Sequence, residues 1–262
     1  MRNSKILAKI RAGQPARVAQ LGHFLPPFIA YAAHLGYDGI WLDLEHRPMD
    51  AREIQALLAF FHLYDIDCLV RPATREKALL YRYFEDGAAG LVVPHVSTPD
   101  EARDLVRKVK FPPVGDRGLH GGGLEANFLL DIPTSRDPLV AHALHETFLI
   151  VQIETPQAVA NMHEIASIPG VDGIFVGPAD LGIRMPLMPE NQRIPYAETL
   201  AKAAAAAQAH DKFWATMPRN TDDLRQMQQL NAQMYVWGTD TTALLEGLRK
   251  ANGDLDAVLG SA

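Results

Sequence analysis

The amino-acid pattern predicts one (β/α)₈ barrel spanning residues 1–262, and three observations carry that expectation. Eight short runs of β-forming residues alternate with helical patterns along the chain, as repeated strand–helix units around a parallel sheet do. Several runs are almost wholly apolar, including Leu91-Val92-Val93 and Phe148-Leu149-Ile150-Val151, which suits strands buried on both faces. A doubly wound sheet needs a Gly-rich phosphate turn after its first strand, and Leu21-Gly22-His23-Phe24-Leu25-Pro26 is not one.

The elements are justified in order. Residues 1–13 read as a short amphipathic helix with Ile6, Leu7 and Ile10 on one face. Strands are expected at 17–21, 39–43, 68–71, 90–94, 148–154, 173–177, 213–216 and 233–237. Helices are expected at 28–35, 51–62, 75–85, 99–109, 157–167, 196–210, 222–230 and 242–250. Thr155-Pro156 and Thr98-Pro99 each pair an N-cap with a proline at the first helical position. Thr221 as a cap has Leu224, not an acid, three residues on, so that start is less sharply marked. The segment Gly36-Tyr37-Asp38-Gly39-Ile40-Trp41-Leu42-Asp43 is echoed by Gly170-Val171-Asp172-Gly173-Ile174-Phe175-Val176-Gly177, a turn before a buried strand in both cases. Between 111 and 146 the rhythm breaks. Phe111-Pro112-Pro113 and Gly121-Gly122-Gly123 mark a loop too long for a plain connection, and such loops are often functional. No linker or second domain is visible.

Composition narrows the function. The chain is 48% hydrophobic and 21% charged, ordinary for a soluble enzyme. A net charge of −6 argues against nucleic-acid binding, which needs a basic patch. A single cysteine, Cys68, excludes an internal disulfide and a Cys-rich zinc site and suits a reducing compartment. The N-terminus lacks the apolar core of a signal peptide, and no run approaches the ~18 apolar residues of a membrane span. A cytoplasmic protein without a membrane partner is expected.

In such barrels the reactive groups gather where strands end. Those ends hold Asp43, Glu45 and His46; Arg71; Pro94-His95; Gln152 and Glu154; Gly177-Pro178-Ala179-Asp180; and Gly238-Thr239-Asp240. Glu154 and Asp180 end consecutive strands, and two carboxylates with water and substrate oxygens suit Mg²⁺ or Mn²⁺. Either one alone reads equally well as a helix N-cap. Gly177-Pro178-Ala179-Asp180 is a strand passing into a helix start, where free amides hold an anion, or simply a turn. Arg71, before Pro72, can face a developing enolate or pair with a strand-end carboxylate. His46 and Asp43 can form a proton-transferring pair; in a chain with ten histidines, His46 can also be an ordinary surface residue. Every lysine falls on an expected helix or its flank, so an imine-forming mechanism is not expected.

Several segments together resemble a known family. Asp43-Leu44-Glu45-His46, Arg71-Pro72, Gly87-Ala88 with Val93-Pro94-His95-Val96, the run from Phe111-Pro112-Pro113 to Asp116-Arg117-Gly118, Gln152-Ile153-Glu154-Thr155 and Gly177-Pro178-Ala179-Asp180-Leu181 are similar to the metal-dependent (class II) pyruvate aldolases of the 4-hydroxy-2-oxoheptanedioate aldolase (HpcH/HpaI aldolase/citrate lyase) family. The resemblance implies a barrel whose last helix is exchanged between subunits of a homo-hexamer, a dimer of trimers. It implies that Glu154 and Asp180 ligate Mg²⁺, Mn²⁺ or Co²⁺. Pyruvate or hydroxypyruvate would bind near Gln152, Gly177 and Pro178, its carboxylate on the amides of Ala179 and Asp180. Arg71 would hold the enolate oxygen, and His46, oriented by Asp43, would move the proton of the aldol hydroxyl formed with an aldehyde.

Two departures stand out. Glu85-Asp86-Gly87 puts Glu85 where the family commonly has an Asp that reaches a neighbouring subunit, and 120–127 replaces a segment tied to acceptor choice. Two rival readings remain: a citrate-synthase-like or citryl-lyase-like condensing enzyme, and a catalytically silent keto-acid binder.

Overall fold

In a computed structural model, which describes residues 1–260, eight parallel strands close into a barrel in sequence order. They are β1 (Ala16–Leu21), β2 (Gly39–Asp43), β3 (Asp67–Arg71), β4 (Gly90–Val93), β5 (Phe148–Ile153), β6 (Gly173–Val176), β7 (Phe213–Thr216) and β8 (Met234–Thr239). Around and between them lie α1 (Lys5–Arg11), α2 (Pro26–His34), α3 (Ala51–Leu63), α4 (Lys77–Glu85), α5 (Pro99–Val109), α6 (Asp137–Glu146), α7 (Pro156–Ala160), α8 (Met162–Ala166), α9 (Pro178–Arg184), α10 (Tyr196–Ala209), α11 (Thr221–Gln229) and α12 (Asp240–Leu259). No helix among the described residues is long and apolar enough to cross a membrane.

Strand parity explains both the core and the site. Ile40, Leu42, Val70, Leu91, Val93, Leu149, Val151 and Ile153 pack outward in one cluster with the helices. The alternate residues Trp41, Leu69, Val92, Phe148, Ile150, Phe175 and Phe213 fill the barrel interior. Trp41 meets Phe175 edge-on at 4.7 Å between ring centroids. Stepping two residues along the inward face from Trp41, Leu69, Ile150 and Phe175 reaches Asp43, Arg71, Gln152 and Gly177, and one further pair of residues reaches Glu154. The site therefore continues the inward row of each strand into the barrel mouth.

The opposite end is closed by α1. Ile6 is fully buried in the interior cluster, and Asp67, also fully buried, accepts bonds from Ser4 Oγ at 2.6 Å, Ile6 N at 2.9 Å and Arg2 Nη2 at 2.6 Å.

Some elements differ from expectation. The long 111–146 loop contains α6, whose only fully buried side chains are Leu139 and Ala143, too few to write a clear helical stripe. The helix expected at 157–167 is divided into α7 and α8 at Asn161, whose side-chain amide donates to Ser97 O at 2.8 Å. Asn220, not Thr221, caps α11, its Oδ1 accepting from the amides of Asp222 and Asp223. The last helix, expected over 242–250, runs from Asp240 to Leu259. Thr98 and Glu101 form a complete capping box on α5.

Candidate active site

The mouth is built from the residues that end β2 to β6. Asp43 is buried and accepts from Arg71 Nε at 2.9 Å and Nη2 at 2.6 Å, a two-point pair. Its Oδ1 also accepts from the amides of Glu45 at 3.1 Å and His46 at 3.3 Å. Asp43 thus reaches residue 46 through the main chain, and the imidazole of His46 instead has its Nε2 3.5 Å from Glu45 Oε2. Arg71 Nη1 is 3.2 Å from Glu45 Oε2, and the guanidinium lies over the Trp41 ring at 5.3 Å. Three of its five N–H groups are committed, so two remain for an oxyanion.

Glu154 is the centre of the cluster. It is 3% exposed, and its Oε2 accepts from Gln152 Nε2 at 2.8 Å. Its Oε1 accepts from His95 N at 2.5 Å and lies 3.0 Å from His95 Nδ1. His95 Nε2 is in turn 3.1 Å from Glu45 Oε1. Burial pushes the Glu154 carboxyl up, the His95 amide and ring pull it down, and Asp180 and Glu45 push it up again; the net is a carboxyl held above the usual glutamate range. Asp180, in the first turn of α9, is 3.0 Å from Arg184 Nη2.

Three features of this mouth suit a hard divalent cation. Burial, seconded by the nearby Asp180 and Glu45, holds the Glu154 carboxyl above its usual range despite the His95 amide and ring, so its charge is costly until a cation joins it. Gln152 Oε1 is buried with no hydrogen-bond donor. Gly177 leaves room for the acid: a Cβ there would come within 2.6 Å of Glu154 Oε2. Among the described residues no three His, Cys, Asp or Glu side chains already converge as a metal cage. Two carboxylates with open positions are what Mg²⁺-type ions commonly accept.

Other groups sit elsewhere. Glu85 ends α4, on the far side of the barrel from its own mouth, with its carboxyl raised by burial and by Glu125. The buried Lys110 is committed to Asp172 Oδ2 at 2.6 Å and Thr147 O at 3.0 Å, so it is not available at the mouth. Cys68 is buried, its thiol pushed up by that burial. The Asp–His contact that does form at the rim joins His23 Nδ1 to Asp240 Oδ2 at 2.8 Å.

Sequence reasoning set Glu45 and His95 among the strand-end polar residues without giving either a role. The distances that link them run between strands, and the Glu45 and His95 positions carry no spacing signal for them. His95 also has φ +59°, a left-handed conformation uncommon outside glycine.

Comparison with known proteins points the same way. The model of the HpcH/HpaI aldolase/citrate lyase family matches residues 21–247. A hydroxypyruvate/pyruvate aldolase of Roseovarius nubinhibens is 32% identical over 83% of each chain. A 4-hydroxy-2-oxo-heptane-1,7-dioate aldolase of Salmonella arizonae is 30% identical over 91% of this chain and 89% of that one. The crystal structure of an HpcH/HpaI aldolase from Desulfitobacterium hafniense superposes with a TM-score of 0.86 at 25% identity, covering 97% of both chains.

Proposed function

The chain belongs to the HpcH/HpaI aldolase/citrate lyase family and is an aldolase-type lyase, and from that premise we propose that it makes and breaks the carbon–carbon bond between a pyruvate or hydroxypyruvate enolate and an aldehyde. The observation that carries this reading is the cluster around Glu154: a buried carboxylate beside an unpartnered Gln152 Oε1 at the barrel mouth.

The family's aldolases depend on a divalent metal. Held by Glu154 and Asp180, it supplies Lewis-acid charge to the keto acid. Which ion serves is part of the proposal, with Mg²⁺, Mn²⁺ and Co²⁺ the candidates. Gln152, fixed through its amide nitrogen to Glu154, offers its free Oε1 to the bound assembly. The amides of Ala179 and Asp180 open α9 without partners in the preceding turn, and they seat the substrate carboxylate beside Gly177 and Pro178. Arg71 is braced by Asp43 and Glu45, so its two uncommitted N–H groups meet the enolate oxygen without first having to be ordered. His46, 61% exposed and beside Glu45, exchanges the proton of the aldol hydroxyl.

Two wider parts of the reading follow from the resemblance. The enzyme works in the cytoplasm, and it assembles as a hexamer with Glu85 reaching a neighbouring subunit. Support for an exchanged α12 comes from its surface: Leu244, Leu245, Leu248, Leu255, Val258 and Leu259 are exposed. A groove of about 950 Å³ lined by Leu35, Leu224, Tyr235 and Trp237 lies where an eighth packed helix would close the ring.

The test is exchange of pyruvate methyl protons into deuterated water, followed by NMR. Exchange is expected with added divalent ion, lost with EDTA and lost in Glu154→Gln. Exchange indifferent to EDTA would sink the proposal.

A further inference from the structure

We infer that a cleft behind α9 is an effector site for an apolar carboxylate, and that a ligand there steadies the helix that carries Asp180. The coupling rests on the reading of Asp180 as a metal ligand; the cleft itself does not.

Position argues first. A cleft of about 590 Å³ opens between α9, the start of α10 and the turn after β7, a volume typical of small-molecule sites. Its apolar wall includes Leu181, Met185, Ile194 and Tyr196, which all belong to the outer cluster or pack against it. Tyr196 Oη lies 2.7 Å from Thr216 Oγ1, and Thr216 stands two residues beyond the outward-facing Trp214. The cleft is therefore outside the barrel wall, and it shares with the mouth only Pro178 and Ala179.

Its chemistry argues second. No Asp or Glu lines the cleft among the described residues, and its two charged side chains are Arg193 and Arg219. Arg219 gives Nε and Nη2 to Asp223 at 2.8 and 3.3 Å, and Arg193 gives Nε to Met188 O at 2.9 Å. Among the described residues, Nη1 of Arg219 and both terminal nitrogens of Arg193 have no acceptor. A ligand with an apolar body and one carboxylate answers both the wall and the guanidinium groups.

The helix argues third. α9 has seven residues, and only Leu181 among them is buried. Gly182 lines the cleft, and a Cβ added there would meet no atom within 4 Å. A glycine also weakens a helix interior. A ligand against this face supplies packing that α9 lacks, two residues from Asp180. Ordering the helix once lowers the cost of a second ligand that needs it ordered, and such coupling is reciprocal.

The experiment uses the full chain with 4-phenylbutyrate as the probe, followed by saturation-transfer NMR and calorimetry. Saturable binding is expected, at least tenfold tighter than for 4-phenylbutanol, which keeps the apolar body and lacks the charge. Gly182→Leu should abolish it by filling the cleft, and Arg193→Gln with Arg219→Gln should weaken it about tenfold. Saturating probe should lower the Mn²⁺ dissociation constant about fivefold or more, and Mn²⁺ should tighten the probe by the same factor. In Gly182→Leu the probe should leave Mn²⁺ binding unchanged. A probe that does not saturate, or that Gly182→Leu leaves bound, overturns the site. Probe binding that leaves the Mn²⁺ constant unchanged, in a protein whose Mn²⁺ binding Asp180→Asn weakens, overturns the effector role. Mn²⁺ binding that Asp180→Asn leaves intact overturns the metal assignment of Asp180 and the coupling, while the probe titrations still decide the site.

Discussion

At the scale of single residues, Arg71 is the group whose role the geometry constrains most. Asp43 takes two of its N–H groups and Glu45 a third, and the Trp41 ring supports its face. Arg71→Ala should lower kcat/KM by a factor of roughly 100–1000, about 3 kcal/mol, through kcat, as expected for losing an oxyanion donor. Arg71→Lys should recover little, because a single ammonium cannot meet Asp43 in two places while touching Glu45. Steady-state kinetics with pyruvate and an aldehyde would decide. A rise in KM at unchanged kcat would make Arg71 a simple binding residue. Its importance was legible in the sequence, since a charged residue two positions beyond the inward-facing Leu69 must enter the mouth. Its partner was not. Local spacing favoured an Asp43–His46 pair, but the carboxylate of Asp43 turns across to β3, a choice made by strand register: Asp43 pairs with Arg71 in the ladder.

At the scale of elements, the ladder that joins the last strand to the first is braced at its mouth end by one side chain. Asp240, at the start of α12, is 3% exposed and accepts from Gly22 N at 3.0 Å, His23 N at 3.1 Å and His23 Nδ1 at 2.8 Å. Burial raises its carboxyl, but the bonds from His23, Gly22 and Thr241 outweigh this and hold it below the usual aspartate range. A lowered folded value means that the stabilisation is complete above the ordinary aspartate pKa, about 3.9, and is lost as pH falls through the folded value. Asp240→Ala should cost about 2 kcal/mol at neutral pH, and denaturant midpoints for the two proteins should converge toward pH 2. Midpoints that stay equally separated there would show that packing, not charge, is lost. Beyond that first residue, α12 is a different kind of element. With α12 exchanged between subunits as proposed, a double substitution, Leu244→Glu with Leu248→Glu, should leave the barrel folded but reduce the mass measured by light scattering to that of a smaller assembly. An unchanged mass would remove α12 from the interface. The strands were readable because buried parallel β-structure writes itself as apolar runs. Elements that bury little, such as α6, or that break for one hydrogen bond, such as α7 and α8 at Asn161, write no comparable pattern.

At the scale of the whole molecule, the two ends of the barrel treat buried acids in opposite ways. At the closed end, the carboxylate of Asp67 is answered by Arg2, Ser4 and the amide of Ile6, so its charge is matched within the chain. At the mouth, Glu154 accepts from Gln152 and from the amide of His95, yet burial, with Asp180 and Glu45 nearby, still holds its carboxyl above the usual range. The proposed cation site thus falls on the acid whose charge the fold leaves costly, and not on the one that it satisfies. Thermal unfolding should separate them. A divalent ion at about 100 times its dissociation constant adds roughly 2.7 kcal/mol, which in a chain of this size raises Tm by about 5–10 °C. Glu154→Gln should abolish that rise while lifting the metal-free Tm by up to about 3 °C, since it removes a charge that burial penalises. Asp67→Asn should do the reverse, lowering Tm by several degrees but preserving the metal-induced rise in full. If Glu154→Gln lowers the metal-free Tm as Asp67→Asn does, then Glu154 is a structural acid, and the division of labour between the two ends does not hold.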